Sequence, residues 1–140
     1  MKHILLIACV SKKQSTTCKA RDLYISPLFK KNLTYALSLN ADQVFILSAK
    51  YGLVGLDEII EPYEQTLYSM SVHTVRAWAN RVLIQLGQHA NLSSDFFILL
   101  AGQNYRKYLV PKIKNYEIPF EGLRIGEHLQ RLTQLIGRQS

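Results

Sequence analysis

Three short apolar runs divide this chain, and each ends in a cluster of polar residues. The runs are residues 4–10 (ILLIACV), 44–47 (VFIL) and 96–100 (FFILL), which are rich in branched and aromatic side chains. Because they lack the polar alternation of a half-exposed strand, they predict strands buried on both faces. Patterns typical of amphipathic helices separate them. This alternation predicts a three-layer α/β sandwich, in which helices cover both faces of a mainly parallel sheet.

Capping residues and apolar spacing predict the two main helices. Ser26-Pro27 has the form of an N-cap followed by proline at the first helical position, and the helix should reach about residue 39. A second helix is predicted over residues 71–90, with Ser69 or Ser71 as its cap and Trp78 on its apolar, core-facing side. The buried stripe of the first helix should contain Leu28, Phe29, Leu33, Ala36 and Leu37, and that of the second Val72, Val75, Trp78, Ala79, Val82, Leu83 and Leu86.

The C-terminal third predicts shorter elements. Residues 105–110 predict a short helix that ends at Pro111, because proline cannot continue a helix. Residues 116–120 predict a fourth strand. A last amphipathic helix follows Gly126 and carries Leu129, Leu132, Leu135 and Ile136.

Length and composition favour one ordinary globular domain spanning residues 1–140. The apolar fraction is 48%, and no apolar run approaches the roughly 18 residues of a membrane helix. A polar Ser-Lys-Lys segment follows the first apolar run, which favours a core strand over a signal peptide and a cytoplasmic location. Cys9 and Cys18 form neither a zinc pattern nor a disulfide framework. No metal or other cofactor is therefore expected.

The chain is strongly basic. Its formal net charge is +7, and its isoelectric point is near 9.5. Such a balance favours anionic partners, with nucleic acid or a nucleotide first. No membrane partner is expected, because no apolar run is long enough for a membrane helix. The cations occur as pairs spread along the chain rather than as one tail, so a solvated basic surface would give the same pattern.

The polar clusters that follow the three strands should meet, because the carboxyl ends of parallel strands share one edge of the sheet. There, tyrosines could stack on a base, amides could read its edge and lysines could contact phosphates. Alternatively, Lys50 forms an ion pair with Asp57 or Glu61, Tyr63 only pins a loop, and the glycines only permit turns. The predicted binding residues are Cys9, Ser11, Lys12, Lys13, Ser48, Lys50, Tyr51, Gly52, Tyr63, Gly102, Gln103 and Tyr105.

The same segments resemble a family of small phage and bacterial domains of unknown function. The resemblance covers nearly the whole chain and implies a common fold. It is carried by Cys9, Ser11 and Lys12, by ARDLY and SPLF within residues 20–29, by ILSAKYGL at 46–53, by EPY at 61–63 with Thr66-Leu67, and by residues 101–105 and 119–126.

The central block is also similar to the YaaA peroxide-stress proteins. Those proteins carry Tyr-Gly-Leu or Tyr-Gly-Val, an Asp and Pro-Tyr at the spacing of residues 51–53, Asp57 and residues 62–63. This resemblance implies DNA binding and a link to oxidative stress, although this chain is shorter and shows no helix-hairpin-helix sequence. A looser similarity to archaeosine-synthase and uracil-glycosylase-like domains implies an action on bases or nucleosides.

Taken together, these features lead us to expect a nucleic-acid-processing enzyme that acts on a nucleobase or nucleoside, in its most concrete form a DNA N-glycosylase for a modified base. Cleaving that bond needs a carboxylate that orients water or stabilises the sugar cation, and the candidates are Asp57, Glu61 and Glu121, with Asp22 behind them. The alternatives are a non-enzymatic DNA-binding stress or defence protein of the YaaA kind, and a nucleotide-sensing domain. A Cys9 nucleophile is disfavoured, because no histidine lies in a nucleophile motif.

Overall fold

A five-stranded sheet forms the centre of the protein. The computed structural model describes residues 1–8 and 13–137. The strands are β1 (His3–Ala8), β2 (Cys18–Lys19), β3 (Gln43–Ser48), β4 (Gly52–Gly55), β5 (Ile59–Ile60), β6 (Phe96–Leu100) and β7 (Asn115–Glu117). The main sheet has the order β4-β3-β1-β6-β7, while β2 and β5 form a separate antiparallel pair. Strands β3, β1, β6 and β7 are parallel and β4 is antiparallel, so the predicted fold class is confirmed.

Helices cover both faces of this sheet. The α-helices are α1 (Ala20–Leu23), α2 (Pro27–Ser38), α3 (Val72–Gly87), α4 (Gln103–Arg106) and α5 (Ile125–Gly137), and two 3-10 turns span Leu67–Ser69 and Val110–Lys112. The chain moves one way along the sheet from β1 to β3 and the other way from β3 to β6. Crossovers between parallel strands are right-handed as a rule, and this rule places α2 and α3 on opposite faces. Helix α5 packs beside α2.

The predicted caps of the two long helices are confirmed. The Ser26 hydroxyl accepts a hydrogen bond from the Phe29 amide at 3.2 Å, and the Ser71 hydroxyl accepts one from the Thr74 amide at 3.2 Å. Trp78 is buried in the core, as its position on the helix predicted. Across residues 1–8 and 13–137, none of the helices combines the length and the apolar character that crossing a membrane requires.

Two predicted core residues are instead exposed. Leu37 is 47% exposed and Val72 is 61% exposed. Each lies at one end of its helix, where the sheet no longer covers the apolar stripe. The core side of α2 includes a polar residue, Asn32, which is 3% exposed. The spacing of apolar residues therefore located each helix but not the ends of its buried face.

Several boundaries near the C-terminus also differ from prediction. The short helix begins at Gln103 instead of residue 105 and ends after a single turn, at Arg106. Pro111 therefore does not end this helix but lies inside the 3-10 turn that follows. The fourth strand stops at Glu117, because the chain turns there and the Glu121 amide donates to the Ile118 carbonyl at 3.2 Å. The edge strand β4 and the β2–β5 pair were not predicted, because their runs are too short to show a period.

The hairpin between β3 and β4 closes on a glycine held against α3. Gly52 has a positive φ of 78°, a conformation that costs little only for glycine. The next amide, that of Leu53, donates to Gln85 Oε1 of α3 at 2.8 Å. A Cβ atom on Gly52 would overlap that same oxygen. The turn after β3 can therefore approach α3 only because residue 52 has no side chain.

Replacing Gly52 with alanine should lower the free energy of unfolding by about 2–3 kcal/mol, because alanine is strained in the left-handed backbone and disturbs a partly buried hydrogen bond. Gly87→Ala is the matched control. Gly87 is the last residue of α3, and a Cβ there meets no atom within 4 Å. The free energy of unfolding of the Gly87→Ala variant should therefore stay constant or rise by up to about 1 kcal/mol. Urea unfolding of both variants measures the difference, and equal losses would contradict the account.

Candidate functional site

The carboxyl ends of β1, β3 and β6 lie along one edge of the sheet. Strand β1 pairs in parallel with β3 on one side and with β6 on the other, so the predicted convergence is confirmed for the segments after β3 and β6. Cys9, Ser11 and Lys12 lie outside the described residues. Because the chain leaves β1 toward β3 while β6 flanks its other side, the gap between β1 and β6 is a topological switch point. Open α/β sheets usually bind their ligands at such a point.

A cavity of about 660 Å³ opens at this switch point, within the usual range for small-ligand sites. Its walls come from the ends of β1 and β6, from α2, from α5 and from the segment before α5. Most of the lining is apolar, with a small number of polar side chains. The apolar lining includes Pro27, Leu28, Phe29, Leu99, Leu100, Ile118, Phe120, Leu123, Ile125 and Leu129, and the polar side chains are Ser26, Asn32, Tyr68, Gln103, Tyr105, Arg106, Glu121 and His128.

An amide and an imidazole form one polar edge of this cavity. Asn32 Oδ1 lies 3.1 Å from His128 Nε2, and the His128 ring stacks on Phe120 with centroids 4.3 Å apart. Burial lowers the pKa of His128, which favours the neutral ring near pH 7. The tautomer with a proton on Nε2 satisfies this bond, with the ring as donor and Asn32 Oδ1 as acceptor. The Nδ2 amino group of Asn32 then has no other hydrogen-bond partner within the described part of the chain.

A carboxylate and a guanidinium stand at the rim. The Glu121 carboxylate lies 3.4 Å from Arg106 Nη1, and the side chains are 63% and 15% exposed, respectively. Arg106 is anchored because its Nε donates to the Ala101 carbonyl at 3.3 Å. The pair therefore fixes the Glu121 carboxylate beside the end of β6, where solvent can still reach it.

Three predicted binding residues from the segment after β6 line the cavity. These are Gly102, Gln103 and Tyr105. Tyr105 is 3% exposed, and its ring meets that of Trp78 edge-on with centroids 5.7 Å apart. Tyr105 thus forms a wall of the cavity, whereas Gln103 is exposed at its edge.

The residues predicted after β3 form a buried hydroxyl chain. Ser48 is fully buried; its hydroxyl accepts from the Tyr51 amide at 3.0 Å and donates to the Tyr63 hydroxyl at 2.9 Å. The Tyr63 hydroxyl lies 2.7 Å from that of Tyr24, to which it can donate in turn. Lys13 Nζ sits 4.5 Å from the centre of the Tyr63 ring, a cation–π distance.

This hydroxyl chain adjoins the cavity through aromatic packing. The Tyr24 ring lies 5.1 Å from that of Phe29, which lines the cavity. Ser48 and Tyr63 do not line it themselves. Their role in the structure is to tie the end of β3 to the segment that follows β5, which agrees with the interpretation that Tyr63 pins a loop.

The turn after β3 is fixed from α3. Arg81 Nη2 donates to the Lys50 carbonyl at 2.9 Å, and Trp78 Nε1 donates to the Ser48 carbonyl at 2.8 Å. Lys50 Nζ lies 5.1 Å from the centre of the Tyr51 ring. Among the described residues, no carboxylate lies within 4 Å of Lys50. The interpretation that Lys50 pairs with Asp57 or Glu61 is therefore wrong.

The three carboxylates predicted as catalytic do not share one site. Asp57 lies in the β4–β5 connection, where its Oδ1 is 3.0 Å from Arg21 Nε, without hydrogen-bond alignment, and 4.0 Å from Lys19 Nζ. Glu61 is exposed, and its amide donates to the Tyr51 hydroxyl at 3.2 Å. Only Glu121 of the three lines the cavity. Residues 1–8 and 13–137 contain no group of three His, Cys, Asp or Glu side chains placed to hold a metal ion.

Asn32, His128, Phe120 and Arg106 were not predicted as site residues. The sequence did contain an indication of Asn32: a polar residue three positions after Phe29 and four before Ala36 interrupts the buried apolar stripe of α2. His128 gave no signal, since its partner Asn32 is 96 positions away. Sequence spacing does not reveal contacts of that range.

Comparison with known protein families gives one match. A family model described as a family of unknown function (DUF6884) matches residues 4–134. This range contains all the residues that line the cavity. No curated protein matches the chain.

Removing the central hydroxyl by Tyr63→Phe should lower the free energy of unfolding by about 1–3 kcal/mol, because it removes the buried hydrogen bonds that this hydroxyl makes with Ser48 and Tyr24. The matched control is Tyr116→Phe, at a tyrosine that is 42% exposed, and it should change stability by less than about 0.5 kcal/mol. Chemical denaturation compares them. If Tyr63→Phe lowered the free energy of unfolding no more than Tyr116→Phe does, the hydroxyl chain would have no structural role.

Stability should also depend on pH through His128. Its pKa in the folded protein lies below the ordinary value of 6.5 because of burial, so the unfolded chain binds the proton first. The free energy of unfolding should therefore be highest above about pH 6.5 and fall as the pH drops from there through the lowered folded pKa. Urea unfolding at several pH values should show this slope in the parent and a weaker one in His128→Gln; identical slopes would contradict the assignment.

Proposed function

The chain belongs to the DUF6884 family, a family of unknown function, and we propose that it is a nucleic-acid-processing enzyme that acts on a nucleobase or nucleoside held in the switch-point cavity. Its most concrete form is an N-glycosylase that releases a modified base from DNA. The observation that carries the proposal is the cavity itself, an apolar space at the switch point with a polar edge and one rim carboxylate.

The shape and lining of the cavity support a planar, partly polar ligand. Aromatic rings of Phe29 and Phe120 and the stacked His128 ring offer flat surfaces along its walls. Asn32 offers amide N–H groups within an otherwise apolar wall, which suits a hydrogen-bond acceptor on the edge of a base. A nucleobase combines these features, because its faces are apolar and its edges are polar.

The Glu121–Arg106 pair supports hydrolysis as the reaction. In hydrolysis of an N-glycosidic bond, the oxygen of water bonds to the sugar C1′ while the bond from C1′ to the base nitrogen breaks. One hydrogen of the water remains on the new sugar hydroxyl, and the other ends on the departing base. A carboxylate near C1′ orients the water, accepts its proton and stabilises the positive charge that develops on the sugar. Arg106 would hold the Glu121 carboxylate in position for this step.

The charge of the chain supports nucleic acid, DNA in particular, as the partner. A net charge of +7 attracts a polyanion and raises the rate of encounter. A cytoplasmic location, as expected from the sequence, is compatible with such a substrate. No cofactor enters this mechanism, because water is the only co-reactant.

The exposure of Glu121 and its pairing with Arg106 also favour a second function. Glu121 is mostly exposed and already lies beside Arg106, an arrangement that also fits a domain that binds a nucleotide without turning it over. In that case the cavity is a sensor site, and substitution of Glu121 changes affinity instead of a rate. A non-enzymatic DNA-binding protein of the YaaA kind would depend on surface cations alone, with a steep dependence on salt.

The enzymatic proposal is tested by incubating the protein with genomic DNA and heavily modified phage DNA and measuring released bases by mass spectrometry. Release should fall by about 10²- to 10⁴-fold in Glu121→Gln, while DNA binding is retained, because the amide cannot accept the proton of water. Asp57→Asn and Glu64→Gln are the controls. Both residues are exposed carboxylates outside the cavity lining, and both variants should release base at the parent rate.

Two results would reject this assignment. Absence of any released base from all DNA samples, with nucleotide binding intact, would favour the sensor. Equal release from the parent and from Glu121→Gln would show that the reaction does not use this carboxylate.

A further inference from the structure

A second concavity, of about 440 Å³, lies on the other side of the sheet edge, next to the turn after β3. Its floor is apolar and its rim carries two cations, Lys50 and Arg81. No Asp or Glu from the described part of the chain lines it. We refer to it as the cationic groove, and its lining residues are Ala49, Lys50, Gln65, Met70, Thr74, Ala77, Trp78 and Arg81.

Neither cation of the groove has a carboxylate partner among the described residues. Arg81 Nη2 donates to the backbone carbonyl of Lys50 at 2.9 Å, which holds the guanidinium beside the base of the lysine side chain. Within residues 1–8 and 13–137, neither side chain takes part in an ion pair. A cation without a counter-charge attracts an anion, and two such cations line this one groove. The amide of Gln65 and the hydroxyl of Thr74 add further hydrogen-bonding groups along the groove.

Only a thin aromatic wall separates the cationic groove from the switch-point cavity. Trp78 lines the groove and Tyr105 lines the cavity, and their ring centroids are 5.7 Å apart. Tyr68 also lines the cavity, lies 6.4 Å from the Tyr105 ring and is 61% exposed. A nucleic-acid strand advances about 3.4 Å per nucleotide in a duplex and further when stretched. One or two nucleotide steps therefore span the wall.

We infer that the cationic groove binds a phosphodiester of a single-stranded nucleic acid whose neighbouring nucleoside occupies the switch-point cavity, with Tyr68 stacking on a base between them. The inference rests on the proposed function of the cavity and identifies its substrate as a strand rather than a free nucleoside. Exposed aromatic rings beside cations are the usual means of holding single strands, because a ring stacks on a base while the cation meets the backbone. A duplex base would have to leave its stack to enter the cavity.

The test compares ligands that differ only in their phosphodiesters. Fluorescence anisotropy with labelled single-stranded DNA and RNA oligonucleotides, and calorimetry with the matching free nucleosides, should give tighter binding for the oligonucleotides. Lys50→Gln should weaken oligonucleotide binding severalfold and reduce the slope of log affinity against log salt by about 0.7, the value for one phosphate on a single strand. Tyr68→Ala should weaken it by about tenfold through lost stacking. Lys50→Gln should not alter the affinity for a free nucleoside that fills the cavity alone, because Lys50 does not line that cavity.

Lys114→Gln is the matched control, because it removes the same charge at the opposite edge of the sheet. Lys114 is exposed and immediately precedes β7, where its amide donates to the Leu92 carbonyl at 3.1 Å. Its oligonucleotide affinity should therefore remain close to that of the parent. An equal loss in Lys50→Gln and Lys114→Gln would overturn the groove as a specific site and leave only general charge attraction.

The same data separate this inference from the proposed function. Nucleoside binding with no gain from phosphodiesters would reject the groove and keep the cavity. A different result would be oligonucleotide binding that is weakened by Lys50→Gln and Tyr68→Ala but unchanged in Asn32→Leu. This result would support the groove as a phosphodiester site and reject the cavity as the site of the base. A preference for DNA or RNA identifies the sugar that the strand carries.

Discussion

The hydrogen bonds of Ser48 join four parts of this structure. Its hydroxyl accepts the amides of Lys50 and Tyr51 and donates to Tyr63, while its carbonyl accepts the indole N–H of Trp78. Because Ser48 is fully buried, its own hydroxyl and carbonyl depend on these protein partners instead of water. One residue thus joins the end of β3, the turn that follows, helix α3 and the segment after β5.

This rigid corner contrasts with the construction of the cavity. Around Ser48, backbone and side-chain bonds leave little freedom, and α3 holds the turn through Arg81 and Gln85. The cavity is closed instead by the contact of α5 with α2, where the polar bond between Asn32 and His128 joins two helices of otherwise apolar contact. A rigid region next to a cavity that one helix closes is suited to ligand binding. The rigid side fixes the position of the ligand, and the side closed by α5 lets the ligand enter.

The two concavities share a wall but differ in chemistry. The larger one is apolar with a polar edge and a rim carboxylate, and the smaller one is cationic. Tyr105 and Trp78 belong to the wall between them, so the core residues that stabilise the fold also set the spacing of the two sites. Glycine at position 52 has a comparable double role, because its positive φ shapes the turn that carries Lys50.

Local chemistry in the sequence was enough to predict the buried strands, the caps at Ser26 and Ser71, the core position of Trp78 and the meeting of strand ends, since each depends on neighbours along the chain or on a general rule of parallel sheets. It was not enough to distinguish Glu121, which lines the cavity, from Asp57 and Glu61, which lie elsewhere. Exposed carboxylates follow no regular spacing along the chain, so their positions in the sequence do not show which of them are close in space. Asn32 and His128, and the wall of Tyr105 and Trp78, come together only through packing of distant elements. Tertiary structure alone decided those contacts, because burial and long-range hydrogen bonds select partners that sequence spacing does not encode.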